Sequence, residues 1–323
     1  MARRTALPLH ELESRLLDDG SPENPDLLLR LRKDRRKGAR KLYLKVRKRL
    51  EREKQERARA EAMLHFERVL WAAGVTRVAG VDEVGIGPMA GPVVAAAVVF
   101  LPGTAIDGVD DSKRLEPSVR EALDEEIRSR ASDIGIGLVD PPEVDRLNVY
   151  HAGLLAMRRA VDSLSAPAGH VLVDARTIPG IPVPQNSFTG GDGRCFSIAA
   201  ASIVAKVHRD RLMVEMEDVY PGYGFTRHKG YCSPEHQAAV RALGPCPIHR
   251  RSFDFIRELT GEYDPVFYAL REAIGNLQSR NELIAWDTRF RMARPLLAPR
   301  AGRKLLALAA RRSKQLGLSV KHS

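Results

Sequence analysis

The sequence predicts an α/β fold: a mixed sheet with flanking helices, plus a basic helical extension at each end. Three observations lead there. Two apolar, β-branched runs at 78–84 and 93–101 flank a turn rich in glycine and proline, with Gly80, Gly85, Gly87 and Gly91 in or beside it, which reads as strand, tight turn, strand. Further short apolar runs alternate with crossover-length helical stretches, the pattern of a mixed sheet. The charge is also segregated. Residues 30–60 carry 16 Lys/Arg against 4 Asp/Glu, and 289–323 carry 10 Lys/Arg and no acid, while 61–288 are net acidic.

Taken in order, residues 1–24 are polar and end in the linker-like Gly20-Ser-Pro-Glu-Asn-Pro25. Residues 26–72 are helical in pattern with a break at Gly38, and Gly74 suits a C-cap. Apolar residues thicken only from Met63 to Trp71, so the first part is a solvated basic helix and the last part docks on a core. After the strand pair, 117–131 reads as a helix opened by a Glu116 or Ser118 cap. A strand is expected at 134–139, helix over 141–162, and a short buried strand at 171–174. Residues 175–196 form a Gly/Pro-rich loop, and 197–220 a long helix with Ser197 as its cap. Residues 221–253 are irregular, and 254–323 are helical and increasingly basic. The expected division is 1–75, an N-terminal extension; 76–255, the catalytic domain; and 256–323, a C-terminal extension without an assigned role.

Composition narrows the function classes. The chain is 323 residues long with 44% hydrophobic and 29% charged residues, a globular balance. No apolar run reaches the roughly 20 residues that span a bilayer, and no signal-peptide core is present at the start. Cys195, Cys232 and Cys246 are few, odd in number and not spaced as zinc ligands, so a reducing cytoplasm with neither structural disulfides nor a zinc site is expected; a monomer is expected as well. Basic ends on an acidic body point to a polyanion held through its phosphate backbone. In the N-terminal run, Arg35, Arg36, Lys37 and Lys41 are candidate contacts.

Four acids stand where elements end or face the core. Asp82 and Glu83 close the first strand, Asp174 ends Val-Leu-Val, and Asp210 borders the apolar stripe Ile203, Val207, Val214 of the long helix. Lys206, four residues earlier, is placed to pair with Asp210. An oxygen-only cluster suits a hard cation, Mg²⁺ or Mn²⁺. Two such ions can drive phosphodiester hydrolysis. One geometric condition attaches. Neighbouring strand residues face opposite ways, so Asp82 and Glu83 share an ion only if the strand ends or bulges at Glu83.

The motifs resemble bacterial ribonuclease HII in order over about 76–255. They are Val-Ala-Gly-Val-Asp82-Glu83-Val-Gly-Ile-Gly-Pro, Asp111-Ser-Lys-Arg-Leu, Leu-Asn148-Val-Tyr-His-Ala, Val-Leu-Val-Asp174 and Gly-Asp192 leading to Ala-Lys206-Val-His-Arg-Asp210. They continue with Tyr223-Gly-Phe-Thr-Arg-His228-Lys229-Gly230-Tyr231 and His249-Arg-Arg-Ser-Phe253. The basic N-terminal helix also resembles an extension some members carry. The resemblance implies an RNase H-like fold and Mn²⁺- or Mg²⁺-dependent endonucleolysis of RNA·DNA hybrids. It also implies incision 5′ to single ribonucleotides in duplex DNA, leaving 5′-phosphomonoesters, in replication and ribonucleotide excision repair. It implies Asp82, Glu83, Asp174 and Asp210 as catalytic metal ligands. The Gly85-Ile86-Gly87 backbone would read the ribose 2′-OH, Tyr231 would stack on the following sugar, and His228, Lys229 and Lys206 would join substrate binding.

Two departures bear on function. Ile86 stands where the family has Arg, and Gly190 where it usually has Lys, so two cations are missing. Ser233 replaces the common Thr, and Cys232 is unusual. The alternatives are an impaired protein that binds hybrid or duplex through its basic ends without turnover, and a nuclease that discriminates ribose poorly.

Overall fold

The computed structural model describes residues 8–17, 25–34 and 36–317. Among the described residues, one five-stranded sheet forms with strand order β3-β2-β1-β4-β5. Its strands are β1 (Val78–Val84), β2 (Val93–Phe100), β3 (Asp133–Val139), β4 (His170–Asp174) and β5 (Gln185–Phe188). β1, β2 and β3 pair antiparallel, and β1–β4 and β4–β5 pair parallel. This is the mixed sheet expected. The chain divides into two compact units, one of residues 1–86, 92–139 and 149–212, the other of 87–91, 140–148 and 213–323.

In the first unit both faces of the sheet are covered, which is why β2 can read Val-Val-Ala-Ala-Ala-Val-Val-Phe and be buried throughout. Ala96, Val98 and Phe100 pack with Ala199, Ala200, Ile203, Val204 and Val207 of α8 (Phe196–Val219) and with Leu123 and Ile127 of α5 (Pro117–Arg130). α7 (Val149–Asp162) lies along β1, β2 and β3. Glycines set how close the helices come. A Cβ on Gly80 would fall 2.0 Å from the Ser197 carbonyl carbon of α8, and one on Gly137 2.0 Å from the Ala156 carbonyl oxygen of α7. Both obstacles are backbone, so neither can turn aside. Gly80→Ala is expected to destabilise the protein by about 3 kcal/mol or more, above the ordinary overpacking range. A lowered midpoint in urea unfolding would record it, and an unchanged midpoint would refute the close packing.

The N-terminal region differs from expectation in three places. Residues 9–17 form a helix, α1 (Leu9–Leu17), and the break falls between α2 (Pro25–Lys33) and α3 (Lys37–Met63), rather than at Gly38. Asp34 stops the helix by accepting from the Arg36 backbone N–H at 2.9 Å and its guanidinium at 2.6–3.1 Å. Gly38 instead lies in the first turn of α3, where a Cβ would come within 2.7 Å of Leu9 Cδ1. A second break at Leu64 separates α4 (His65–Ala72). The linker-like 20–24 lie outside the described residues.

Four further corrections concern the domain's middle. No side chain caps α5; Pro117 opens it and Glu116 holds an extended N-cap without a side-chain bond. Asn148, with φ 67°, splits the helix expected over 141–162 into α6 (Pro141–Leu147) and α7. The loop at 175–196 contains β5, whose polar Gln-Asn-Ser-Phe lacks a strand's apolar alternation. Ser197 lies within α8 and does not cap it. Instead Glu67 of α4 accepts from the Ser197 N–H at 2.8 Å and its hydroxyl at 2.7 Å, satisfying the α8 amino end with a carboxyl from the N-terminal region.

In the second unit the stretch expected to be irregular holds α9 (Phe225–His228) and α10 (Pro234–Leu243), and the tail forms α11 (Asp254–Leu259), α12 (Pro265–Gly275), α13 (Arg280–Ala293) and α14 (Pro299–Gln315). Phe267, Leu270, Ile274, Trp286, Phe290, Leu305 and Ala309 give α12–α14 a core of their own.

Candidate active site

β1 does not end at Glu83. It stays paired with β2 as far as Val84, whereas its pairing with β4 stops at Val81. Asp82 and Glu83 therefore lie beyond the β4 register, and β1 neither ends nor bulges at Glu83, so the condition set for the two to share one ion is not met by the strand itself. They leave the strand on opposite faces, as strand geometry requires. Gly80 faces α8, and Asp82, two residues on, shares that face. Glu83 sits on the other, with its Cγ 3.8 Å from where a Gly153 Cβ of α7 would be. Asp174, at the end of the neighbouring strand β4, accepts from the Gly191 N–H at 2.7 Å.

Charge joins Asp82, Glu83 and Asp174. Burial holds Asp82 well above the ordinary carboxylate range, and Glu83, Asp174 and Asp192 add to the rise. Glu83 is pushed up to about 7, first by burial and also by Asp174, against the opposing pull of Arg176. Asp174 is raised by burial, with Asp192 adding and the Gly191 N–H opposing. Acids in this state are costly to keep ionised without a compensating cation.

Asp210 is engaged by cations. It is held by Lys206 at 2.7 Å and by Arg120 at 3.6 Å, so the Lys206 pairing expected from helical spacing is present. Burial lowers the Lys206 pKa, with Asp210 opposing. Among the described residues, no three His, Cys, Asp or Glu side chains converge as they stand into a metal-holding group.

The structure adds residues that sequence reasoning missed. Asp192, buried, receives Lys113 Nζ at 3.1 Å. Arg176 lies 3.3 Å from Glu83 and its guanidinium 4.9 Å from the Tyr150 ring centroid. Lys113 sits in a loop anchored by the buried 2.7 Å bond between Ser112 and Ser202 of α8. Asp192 and Lys113 belonged to quoted motifs, and only their convergence on the acids was hidden. Arg176, directly after the Asp174-Ala turn, carried no such signal.

In the Gly85-Ile86-Gly87 segment, Gly85 has φ 92° and a Cβ on it would fall 2.5 Å from Arg209 Nε. It is glycine because the buried Arg209 guanidinium, bonded to the Pro92 carbonyl at 3.0 Å, lies behind it. Ile86 is half-buried, its Cδ1 3.1 Å from where a Gly153 Cβ would be. Gly190 has φ 66° with open space where a side chain would stand.

In the second unit, a Gly87 Cβ would lie 3.6 Å from the Tyr231 ring, which is 44% exposed. Met89 and Ala90 N–H donate to the Gly230 carbonyl at 2.9 and 3.2 Å, and Gly230, φ 84°, must be glycine because a Cβ would meet the Ala90 carbonyl. Lys229 Nζ donates to the Thr226 carbonyl at 2.7 Å, and His228 bonds the Tyr223 carbonyl at 2.8 Å. Behind Tyr231 runs a buried imidazole pair. His249 Nδ1 accepts from the Cys246 N–H at 3.0 Å, its Nε2–H donates to His236 Nε2 at 3.0 Å, and His236 Nδ1–H donates to the Tyr231 carbonyl at 2.8 Å. That is the one proton arrangement that satisfies these three bonds with both rings neutral, and it leaves the longer 3.3 Å approach of His249 Nδ1 to the Cys246 carbonyl unused.

Of the basic N-terminal candidates, Arg36 is paired to Asp34, and Lys37 and Lys41 are exposed. Arg35 lies outside the described residues.

Comparison with known proteins now adds to the geometry. The Ribonuclease HII family profile matches residues 79–256, and that of the Ribonuclease HII N-terminal domain matches 9–71. A Ribonuclease HII of Myxococcus xanthus is 49% identical over 254 residues, 78% of this chain and 87% of that protein. One from Geobacillus thermodenitrificans is 50% identical over 231 residues, 72% of this chain and 89% of its own length. A crystal structure of the ribonuclease H2 from Pyrococcus horikoshii is 27% identical with a TM-score of 0.47, covering 58% of this chain and 98% of that one.

Proposed function

The chain belongs to the ribonuclease HII family, and from that premise we propose that it hydrolyses the RNA strand of RNA·DNA hybrids and incises duplex DNA 5′ to single embedded ribonucleotides. Residues 76–255 are the catalytic part in this reading, with 1–75 and 256–323 as basic extensions. The observation that carries it is the carboxylate group Asp82, Glu83 and Asp174, mutually repelling and raised by burial, with Glu83 Oε2 buried and without a hydrogen-bond partner. These all-oxygen donors fit Mg²⁺ or Mn²⁺. Asp82, Glu83, Asp174 and Asp210 would hold the ions, Glu83 reaching round from the opposite face of β1 and Asp210 turning from Lys206 to do so. When bound, such ions supply Lewis acidity at the scissile phosphate and lower the pKa of a water.

The chain's own residues do the rest. Lys113 and Arg176 place positive charge beside the acids, offsetting the cations that Ile86 and Gly190 lack. This weighs against the impaired-binder reading. The backbone of Gly85–Gly87 reads the 2′-OH, which separates RNA from DNA at one position. Tyr231 presents an exposed ring to stack on a sugar, its backbone fixed by His236.

The test is digestion of a labelled RNA·DNA hybrid by purified protein with Mg²⁺, with Mn²⁺ and with chelator. Internal cuts in the RNA strand that require the ion support the reading. Binding without cutting in either ion refutes it. Ile86→Arg restores a guanidinium and is expected to lower KM severalfold with little change in kcat. Steady-state kinetics on the hybrid would check this, and equal constants would remove Ile86 as a limit on binding.

A further inference from the structure

We infer that the outward face of α14 is a docking surface for the phosphate backbone of the substrate duplex, continuous with the loop that carries Tyr231. This deepens the proposed function and rests on it for the identity of the duplex.

Residues 260–315 lie beyond those the family profile matches, so the surface belongs to this chain's own extension. Leu305 and Ala309 turn inward into the α12–α14 core. The opposite face of the helix then carries Arg303, Ala307, Ala310, Arg311 and Lys314, at helical spacings of three and four. Arg303, Arg311 and Lys314 are exposed. Among the described residues none of the three has an acidic partner, whereas Arg300 and Lys304 of the same helix are tied to Asp254 and Glu258. The distinction matters, because a cation already paired gains little from a phosphate, and an unpaired one releases counterions when it binds. No acid occurs from 289 to 323. The small side chains Ala307 and Ala310 leave the stripe low enough for a strand to lie along it. From Arg303 to Lys314 the helix advances about 16 Å, the length of several backbone phosphates.

Continuity with the substrate loop is the second observation. A cleft of about 560 Å³ is lined by Arg300, Arg303 and Lys304 of α14 on one side and by Cys232 and Phe253–Phe255 on another, its one acid, Asp254, being paired to Arg300. Cys232 directly follows Tyr231. The basic stripe therefore starts across a cleft from Cys232, one residue after that proposed to stack on the substrate sugar, and runs on along the helix. A duplex engaged at Tyr231 meets Arg303 first, then Arg311 and Lys314. Contact of this kind is blind to base sequence and to ribose. It adds affinity without touching selectivity, which compensates for a Gly-Ile-Gly loop that has lost its guanidinium.

The test uses the full chain carrying Arg303→Ala, Arg311→Ala and Lys314→Ala together. Alanine favours the helix at each position, and thermal unfolding checks that it persists. Binding to a labelled RNA·DNA hybrid and to an all-DNA duplex is followed by anisotropy across a salt series, with chelator present to prevent cutting. We expect Kd to rise about tenfold or more for both duplexes, and the slope of log K against log salt to shrink by about 2.7, three contacts at roughly 0.9 each. In hydrolysis KM should rise while kcat at saturation holds. Unchanged Kd and slope in a folded variant would overturn the assignment, including in favour of a protein partner for this face. A wild type that fails to cut while the variant still loses slope would refute the proposed reaction and leave the surface standing.

Discussion

Asp82→Asn is expected to make the metal-free protein more stable and the enzyme inactive. Asp82 is buried, and burial together with Glu83 and Asp174 raises its pKa. An acid whose folded pKa lies above its unfolded value binds its proton more tightly in the folded state. Its contribution is favourable while the group is protonated and is lost as pH rises through the folded pKa. At neutral pH this carboxyl therefore works against folding, and an uncharged amide of the same shape relieves it. Function reverses the preference. The amide cannot supply the negative charge that draws a divalent ion, so the ion's stabilisation of the folded state should go as well. For an ion at a hundred times its Kd that stabilisation is about 2.7 kcal/mol. Turnover should fall by at least about a hundredfold, the scale on which preorganised charge acts at a reacting centre. Thermal unfolding with chelator and with Mg²⁺ checks both halves. A variant less stable than wild type in chelator, or one that still gains stability from Mg²⁺, would contradict the role assigned to Asp82.

Acidification is expected to strike the imidazole pair behind Tyr231. Burial, above all, lowers both His236 and His249 to about 4, from an ordinary 6.5. The bond between their Nε2 atoms at 3.0 Å holds a single proton. A second proton there would set two N–H groups against each other. The unfolded chain takes up protons as pH falls through about 6.5 and the folded chain only near 4. The unfolded state thus binds more protons throughout that window, and the pair's stabilisation, complete above it, is lost as pH falls. From pH 6.5 to 5 the loss is about 2 kcal/mol per imidazole. The raised acids Asp82, Glu83 and Asp174 act in the other direction, gaining as pH falls, so the total stability alone does not isolate the effect. Comparison with His236→Gln does, because the acids are common to both proteins. The stability gap between wild type and variant should narrow by about 2 kcal/mol between pH 7.5 and 5.0 in urea unfolding. A gap that stays constant would refute the buried neutral pair.

The sheet was legible because β1 and β2 are long apolar runs around glycines whose absent side chains admit α7 and α8. β5 was not, since an edge strand of Gln-Asn-Ser-Phe has little apolar face to display. Gly38 misled for the opposite reason. Glycine usually breaks a helix, but here it makes room for Leu9, which is distant in sequence. Among site residues, the acids stood out as charges at the ends of apolar strands. Lys113, Arg176 and Asp192 are ordinary surface-type residues until the fold brings them to those acids. The hold of Arg120 on Asp210 likewise belongs to tertiary packing. So does the imidazole relay, since His236 and His249 are thirteen residues apart and no periodicity links them.

The central claim is ribose-dependent incision, and one measurement reaches it most directly. A duplex with a single embedded ribonucleotide and its all-deoxy counterpart would be incubated with wild type in Mg²⁺ and in Mn²⁺, and the products mapped to the nucleotide, with Asp174→Asn as the control. The account predicts one cut, on the 5′ side of the ribonucleotide, absent from the all-deoxy duplex and from the variant. Equal cutting of both duplexes, or no cutting of either by folded wild-type protein, would contradict it.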